Sequence, residues 1–252
     1  IGERAVRHVV HAAAVTAEPA REPRAVAAYL GDHLASVDAC LRIAAEHAAS
    51  ATLISSAAVF AADPGGVLDE QAEPHGTGPY ATAKRAAELA WMEMGRAGLD
   101  ARVVRFGNLF GPDEVSSGTR PSLSLLGRYV HEATTRRRIE VLAPAAERDW
   151  TYLPDAARCV VTDLADGDAP RLRHAVAGGA LRDEELARRT AGVLAPVRVE
   201  ATSTPAPLPR TPLVTLHPKA MPDAVSALEA MDATIRALAA ALSASSMGLT
   251  DS

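Results

Sequence analysis

The fold is decided by the stretch from residue 51 to residue 106, which opens with Ala51-Thr-Leu-Ile-Ser-Ser56 and closes with Ala101-Arg-Val-Val-Arg-Phe106. Each of these short apolar runs predicts a buried strand. Between them, residues from about Tyr80 to Arg96 predict a long helix, which Gly98 ends. A strand, a helix and a second strand in this order are typical of a parallel sheet whose faces are covered by helices.

The same alternation extends upstream. The run from Arg7 to Val15 predicts a further buried strand that leads into a turn of small residues. Residues 25–48 then predict a helix, because their apolar side chains recur at helical spacing: Leu30, Leu34, Val37, Leu41 and Ala45. The sequence therefore predicts an α/β fold.

The alternation becomes less regular after residue 111. Helices are predicted at 122–136, 154–165, 183–194 and 223–243, and short strands at 138–142 and 172–176. Six prolines between positions 196 and 218 leave room only for edge strands. We expect residues 1–111 to form a partial dinucleotide-binding domain to which residues 150–176 return, and residues 112–149 and 177–252 to form a substrate-binding region.

Composition excludes several classes of protein. The net charge of −5, with no basic face, gives no reason to expect a nucleic-acid partner. No apolar stretch approaches the ~20 residues that span a bilayer, so we expect no membrane partner. Cys40 and Cys159 are isolated, which favours a reducing cytoplasm. The histidines show no metal-ligand spacing: His8 and His11 should point to opposite faces of a strand.

The residue types with the most specific chemistry are in Tyr80-Ala-Thr-Ala-Lys84. A spacing of four at the start of a helix places a phenol and an ammonium on one face. A free tyrosine has a pKa near 10, and a neighbouring cation favours the phenolate, so that the phenol can exchange a proton with a substrate hydroxyl. The alternative is a solvated pair on a helix surface.

Two hydroxyl side chains, Ser55 and Ser56, lie at the carboxyl end of the strand that begins at Ala51. Open α/β sheets bind their ligands at this edge. A serine there can hydrogen-bond the reacting oxygen and hold it against the phenol. The alternative is a strand-end serine bonded to backbone.

Taken together, these motifs resemble the extended short-chain dehydrogenases of the NAD-dependent epimerase/dehydratase family. The resemblance covers about residues 5–195. It is carried by five motifs in the family's order: His11-Ala-Ala-Ala, Ser55-Ser-Ala-Ala-Val-Phe60, Tyr80-Ala-Thr-Ala-Lys84, Arg105-Phe-Gly-Asn-Leu-Phe-Gly-Pro112 and Arg148-Asp-Trp-Thr-Tyr-Leu-Pro-Asp155. It implies a Rossmann-type doubly wound parallel sheet with a smaller C-terminal substrate-binding α/β region.

The resemblance also implies roles for single residues. It makes Ser56 the catalytic hydroxyl, Tyr80 the acid/base and Lys84 the residue that also holds the nicotinamide ribose. The positions that it places at the cofactor are Ala12, Ala13, Ser55, Tyr80, Lys84, Gly111 and Pro112.

Two further positions are implied to contact the substrate. Asn108 matches a residue that contacts the substrate or its diphosphate, with turn chemistry as the alternative. Arg148 matches an arginine that binds a nucleotide-sugar phosphate, with an ion pair to Asp149 or Asp155 as the alternative. Asp32 stands where the family often has a structural Asn, so that role is not carried over.

The sequence departs from the family in two places. No glycine-rich GxxGxxG turn precedes His11, so we expect an N-terminally incomplete sheet with the first strand near an edge, and NAD and NADP cannot be distinguished. Dehydratases of the family usually carry Asp-Glu after the catalytic hydroxyl residue, where this chain has Ala57 and Ala58. These alanines favour epimerisation or simple redox chemistry over dehydration.

Two functional hypotheses follow. The first is an epimerase or oxidoreductase that uses NAD or NADP on a small hydroxylated molecule, with a nucleotide sugar as one candidate. The second is a cofactor-free remnant, or a fragment, that acts as a binding module without catalysis. A homodimer through the helix that carries Tyr80 is a candidate assembly for the first.

Overall fold

The computed structural model of the chain describes residues 5–60, 66–114, 122–177, 179–202, 211–218 and 224–247. Within these residues the strands are β1 (His8–His11), β2 (Ser50–Ser56), β3 (Ala101–Phe106), β4 (Asn108–Phe110), β5 (Arg138–Val141), β6 (Glu147–Tyr152), β7 (Leu172–Ala175), β8 (Ala180–Arg182) and β9 (Arg198–Ala201). The helices are α1 (Pro23–Glu46), α2 (Pro79–Arg96), α3 (Leu125–Arg136), α4 (Leu153–Ala165), α5 (Asp183–Val193) and α6 (Ala224–Met247).

The main sheet contains four strands in the order β1-β2-β3-β7, and all its pairs are parallel. The predicted parallel sheet is thereby confirmed. β1 lies at one edge, with His11 opposite Leu53 of β2. On the other side of β2, Ser55 and Ser56 lie opposite Arg105 and Phe106 of β3. The two serines therefore lie in the interior of the sheet, at its carboxyl edge.

Helices cover both faces of this sheet because its strands carry apolar side chains on both sides. Val103 faces α1 and α2, in a cluster with Leu41, Leu53 and Trp91. The next residue, Val104, faces α4 and packs with Cys159. Alternate residues of a strand point to opposite faces, so an unbroken apolar run such as Ala101–Phe106 requires cover on both sides.

A second region is built on two smaller sheets. β4, β6 and β8 form one, and β5 and β9 form the other. Helices α3, α5 and α6 close over them, and their shared core consists of Phe110, Leu126, Tyr129, Val130, Ala133, Ile139, Val141, Trp150, Leu186, Ala187, Met231, Ile235 and Leu238. Of the stretch predicted to return to the main sheet, β7 does so, whereas residues 150–152 belong to β6 in the second region.

Candidate active site

A cavity of about 550 Å³ opens at the carboxyl ends of β2 and β3. It lies where the main sheet meets the second region, because Trp150 of β6 and the start of α3 form part of its wall. Its lining residues are Ala12, Ala14, Thr16, Ile54, Ser55, Ser56, Tyr80, Lys84, Phe106, Gly107, Asn108, Leu109, Ser122, Ser124, Leu125 and Trp150. The structure therefore brings Tyr80, Lys84, Ser55 and Ser56 to one cavity, together with Ala12 and Asn108.

Tyr80 and Lys84 reach the cavity from the first two turns of α2. The helix begins directly after Gly78, whose φ of 95° favours glycine, and Pro79 fits the first helical position. Lys84 is only 4% exposed, and its Nζ donates to the Ile54 carbonyl oxygen of β2 at 2.9 Å. The same Nζ lies 5.9 Å from the centre of the Tyr80 ring. Burial lowers the pKa of Lys84 to about 8, although the nearby Glu88 raises it.

The two serines have different surroundings. β2 ends at Ser56, and residues 57–60 continue as a short 3₁₀ helix. Ser56 is half-buried, and its Oγ accepts a hydrogen bond from Ala58 N at 3.2 Å. Ser55 is buried, and its Oγ has no hydrogen-bond partner among the described residues. An unpaired buried hydroxyl is costly, so the Ser55 hydroxyl remains available to pair with a polar group that enters the cavity.

Behind Lys84, a buried ion pair joins α2 to β3. Glu88 lies one helical turn beyond Lys84, and its carboxylate accepts from Arg105 Nε at 2.9 Å and from Arg105 Nη2 at 2.7 Å. Arg105 Nη1 lies 3.3 Å from His174 Nε2. Because His174 Nδ1 lies 2.8 Å from the Val214 carbonyl oxygen, Nδ1 carries the ring proton and Nε2 accepts from Arg105. The arrangement fixes the helix that carries Tyr80 and Lys84 against the sheet.

The other predicted cofactor and substrate positions are divided between the cavity and its surroundings. Ala13 is exposed and is not part of the cavity lining. Gly111 and Pro112 line a separate cavity of about 360 Å³ with Leu153 and Pro154. Asn108 lies in the main cavity, and its backbone N–H donates to Asp149 Oδ2 at 3.1 Å.

Arg148 is held in an ion pair outside the cavity lining. Its Nε donates to Asp183 Oδ1 at 2.6 Å and its Nη2 to Asp183 Oδ2 at 2.9 Å. The sequence alternative of an ion pair therefore describes this arginine, but with a different acid from the two expected. Asp183 begins α5, close to Arg148 because β6 pairs with β8. Asp32 is exposed on α1.

Sequence reasoning missed several cavity residues. Trp150 contributes an indole whose Nε1 is buried without a partner among the described residues. Ser124 caps α3, because its Oγ accepts from Gly127 N at 3.1 Å. Serine before an apolar helical run is a recognisable cap signal, and it would have placed the start of α3 at Leu125 instead of 122. The position of Trp150 depends on the pairing of β4 with β6, for which the sequence carries no local signal.

In the part of the chain that the structure describes, no group of three or more His, Cys, Asp or Glu side chains could hold a metal ion. None of the helices described combines the length and apolar character that crossing a membrane requires.

Comparison with known proteins places these observations in a family. A sequence model of the NAD dependent epimerase/dehydratase family matches residues 1–178. No curated protein matches the sequence. Among solved structures, RMD from Pseudomonas aeruginosa, complexed with NADPH, is similar at a TM-score of 0.76 and 19% identity, over 94% of this chain and 83% of that one.

Two other solved structures have the same fold. One is the UDP-glucose 4-epimerase of Thermotoga maritima with UDP-glucose, at a TM-score of 0.77 and 16% identity over 94% of this chain and 78% of that one. The other is the dTDP-glucose 4,6-dehydratase DesIV of Streptomyces venezuelae with NAD bound. Its TM-score is 0.73 and its sequence identity 22%, over 93% of this chain and 73% of that one. At these identities the likeness establishes a shared fold.

Proposed function

The chain belongs to the NAD dependent epimerase/dehydratase family, and on that premise we propose that it is an NAD(P)-dependent epimerase or oxidoreductase acting on a sugar nucleotide or a similar hydroxylated small molecule. One observation carries the proposal: Tyr80, Lys84, Ser55 and Ser56 line a single cavity at the carboxyl edge of the parallel sheet. This edge is where open α/β sheets bind ligands, and a phenol with a neighbouring ammonium can take the proton of a carbinol while a hydroxyl holds its oxygen.

The cavity wall fits the reactive end of a nicotinamide nucleotide. An ammonium has three N–H bonds, and at Lys84 the Ile54 carbonyl accepts one of them. Ribose hydroxyls are suitable acceptors for further donors. Ser55 Oγ is buried and unpartnered among the described residues, so it can pair with a polar group of a ligand that fills the cavity. We propose that Lys84, Ser55 and the backbone at Ala12 hold this end of NAD or NADP, which when bound supplies the hydride acceptor.

Proton transfer falls to Tyr80 in this proposal. Its Oη would take the proton of the substrate hydroxyl as the adjacent carbon is oxidised, and would return it in the reverse direction. The ammonium of Lys84, 5.9 Å from the ring centre, favours the negative phenolate that this exchange produces. Ser56 Oγ accepts from Ala58 N and can still donate its own proton to the substrate oxygen. That hydrogen bond would hold the oxygen against the phenol.

The residues after Ser56 narrow the type of reaction. Ala57 and Ala58 form the start of the short 3₁₀ helix and carry only methyl groups. Elimination of water needs a further acid or base beside the reacting carbons, and these positions provide neither. We therefore propose epimerisation or ketone/alcohol redox in preference to dehydration.

For substrate contact we propose Asn108, which lies at the start of β4 and lines the cavity. Arg148 lies outside the cavity lining, and its Nε and Nη2 donate to Asp183, so its predicted substrate contact is not part of the proposal. Cys40 and Cys159 are both free thiols, in keeping with a reducing compartment such as the cytoplasm.

The proposal is tested by binding and by turnover. Calorimetry on the 252-residue chain with NAD and with NADP should detect binding of one or both. Tyr80→Phe should lower kcat on a panel of nucleotide sugars by about 10²- to 10⁴-fold, the usual contribution of a general acid or base. Tyr152→Phe is the matched control, because Tyr152 is a half-buried tyrosine outside the cavity lining.

Two results would count against the enzyme. If Tyr80→Phe turned over substrate at the wild-type rate, the phenol would have no catalytic role. If neither dinucleotide bound to the chain, the alternative of a cofactor-free binding module would be favoured instead.

A further inference from the structure

Residues 211–218, here called the strap, form a segment that other parts of the chain hold in place through hydrogen bonds and one isolated bridge. Leu213 is buried in a cluster with Val59 and Phe60, the residues that continue the chain from Ser56. The strap forms an isolated parallel bridge between Leu213 and Leu68, with Val214 N donating to Leu68 O at 3.1 Å. The strap is therefore in direct contact with residues 57–60, which follow β2.

Two carboxylates bind the strap at different points. Glu70 accepts from Thr215 Oγ1 at 2.6 Å and from Leu216 N at 2.9 Å. Asp149, on β6, accepts from Leu213 N through Oδ1 at 3.1 Å. The other oxygen of Asp149, Oδ2, accepts from Asn108 N at 3.1 Å. Of the two acids, Asp149 is thus the one that joins the strap to a residue of the cavity.

The local backbone is adapted to this contact. Asp149 is 3% exposed, so both its oxygens depend on hydrogen bonds from the protein. A Cβ atom built on Gly107 would lie 1.4 Å from Asp149 Oδ2, so only glycine allows the carboxylate to approach the N–H of Asn108. The missing side chain of Gly107 thus leaves the space that the Asp149 carboxylate occupies when it binds Asn108 N.

We propose that Asp149 is a positioning residue: through its two oxygens it ties the strap to Asn108, so that the substrate side of the cavity has its binding geometry only when the strap is docked. The inference rests on the proposed function, because Asn108 is there the substrate contact. Asp149 itself is buried behind the cavity wall and touches neither substrate nor cofactor in this scheme.

The test compares Asp149→Asn with Glu70→Gln. An asparagine presents one acceptor oxygen and one NH₂ group, so one of the two backbone N–H groups must lose its partner. Glu70→Gln loosens the strap without touching Asn108. Glu70 also accepts from His174 N at 2.8 Å, and His174 lies on β7, outside both segments that are followed. Hydrogen exchange is followed in the unliganded chain over residues 106–110 and 211–218, and the affinity for UDP-glucose is measured by calorimetry.

We expect Asp149→Asn to speed exchange in both peptides and to weaken UDP-glucose binding by about tenfold, the scale of one lost hydrogen bond to a charged group. Glu70→Gln should speed exchange in residues 211–218 alone and leave affinity within about twofold. If Asp149 had a merely structural role, Asp149→Asn would lower the melting temperature, but the two variants would not differ in which of the two segments exchanges faster.

The inference is overturned if Asp149→Asn leaves residues 106–110 protected, or if Glu70→Gln changes affinity as much as Asp149→Asn does. If Asp149→Asn does not fold, hydrogen exchange of the wild-type protein is measured at increasing denaturant concentration. The amides of Asn108 and Leu213 should then exchange with the same denaturant dependence, and different dependences would refute the coupling between the strap and Asn108. If the wild-type chain bound no UDP-glucose, the choice of this substrate would fail. The exchange data would still test whether Asp149 links the strap to Asn108.

Discussion

At the scale of single residues, the burial of Lys84 makes stability depend on pH. The folded protein holds its ammonium at 4% exposure, and burial lowers its pKa from 10.5 to about 8. Between these values the unfolded chain binds a proton that the folded chain does not. Stability contributed by this group therefore rises as the pH increases from about 8 to 10.5, and the penalty is complete below pH 8.

Replacing Lys84 by Met should remove this dependence. We expect the free energy of unfolding of wild type, relative to Lys84→Met, to increase by up to about 3 kcal/mol between pH 8 and pH 10.5. Urea denaturation of both proteins across this range measures it, and taking the difference cancels other groups that titrate there. Parallel pH profiles for the two proteins would show that Lys84 has an ordinary pKa in the folded state.

At the scale of secondary-structure elements, the ion pair between Glu88 of α2 and Arg105 of β3 fixes α2 against the main sheet. Both side chains are buried, so removing one charge leaves the other uncompensated. We expect Glu88→Gln to lower the free energy of unfolding by about 3–5 kcal/mol. Glu93→Gln on the same helix breaks an exposed pair with Arg96 and should cost less than about 1 kcal/mol. Equal losses in urea denaturation would mean that the buried pair does not anchor α2.

The sequence predicts the helices and most of the strands, including the four-residue strands β5 and β7, but it misses four short strands. The apolar run Ala101–Phe106 predicts a strand with the observed bounds, and the predicted bounds of α1, α2 and α5 lie within two residues of those observed. Four short strands, β4, β6, β8 and β9, are not predicted individually. β4 and β8 have three residues each, and β6 reads Glu-Arg-Asp-Trp-Thr-Tyr, so none shows a clear apolar period. Their conformation is set by pairing with distant strands, which local sequence does not record.

At the scale of the whole molecule, the candidate site depends on which distant segments of the chain the fold brings together. Tyr80 and Lys84 could be identified from their spacing, because a helix places both on one face whatever surrounds it. Asp149 could not, because its two partners lie 41 and 64 residues away in the chain. The ion pair of Arg148 with Asp183 also could not be predicted from the sequence, because it requires β8 to lie beside β6. Side chains whose roles depend on such packing are visible only in the fold.

At the same scale, we propose that the chain forms a homodimer in which α2 of one subunit packs against α2 of the other. Leu89 on this helix is 63% exposed, and α1, which packs against α2, exposes Leu34 and Ile43. In a two-fold interface each residue occurs twice, so a charge at position 89 enters from both subunits and should push the dimer apart. We expect sedimentation velocity to give twice the monomer mass of 26.3 kDa for wild type, and a shift toward the monomer for Leu89→Glu. Val161→Glu is the matched control, because Val161 on α4 is 64% exposed and lies on the other face of the sheet. A wild-type mass of 26.3 kDa at all concentrations, or equal shifts for the two variants, would refute an interface through α2.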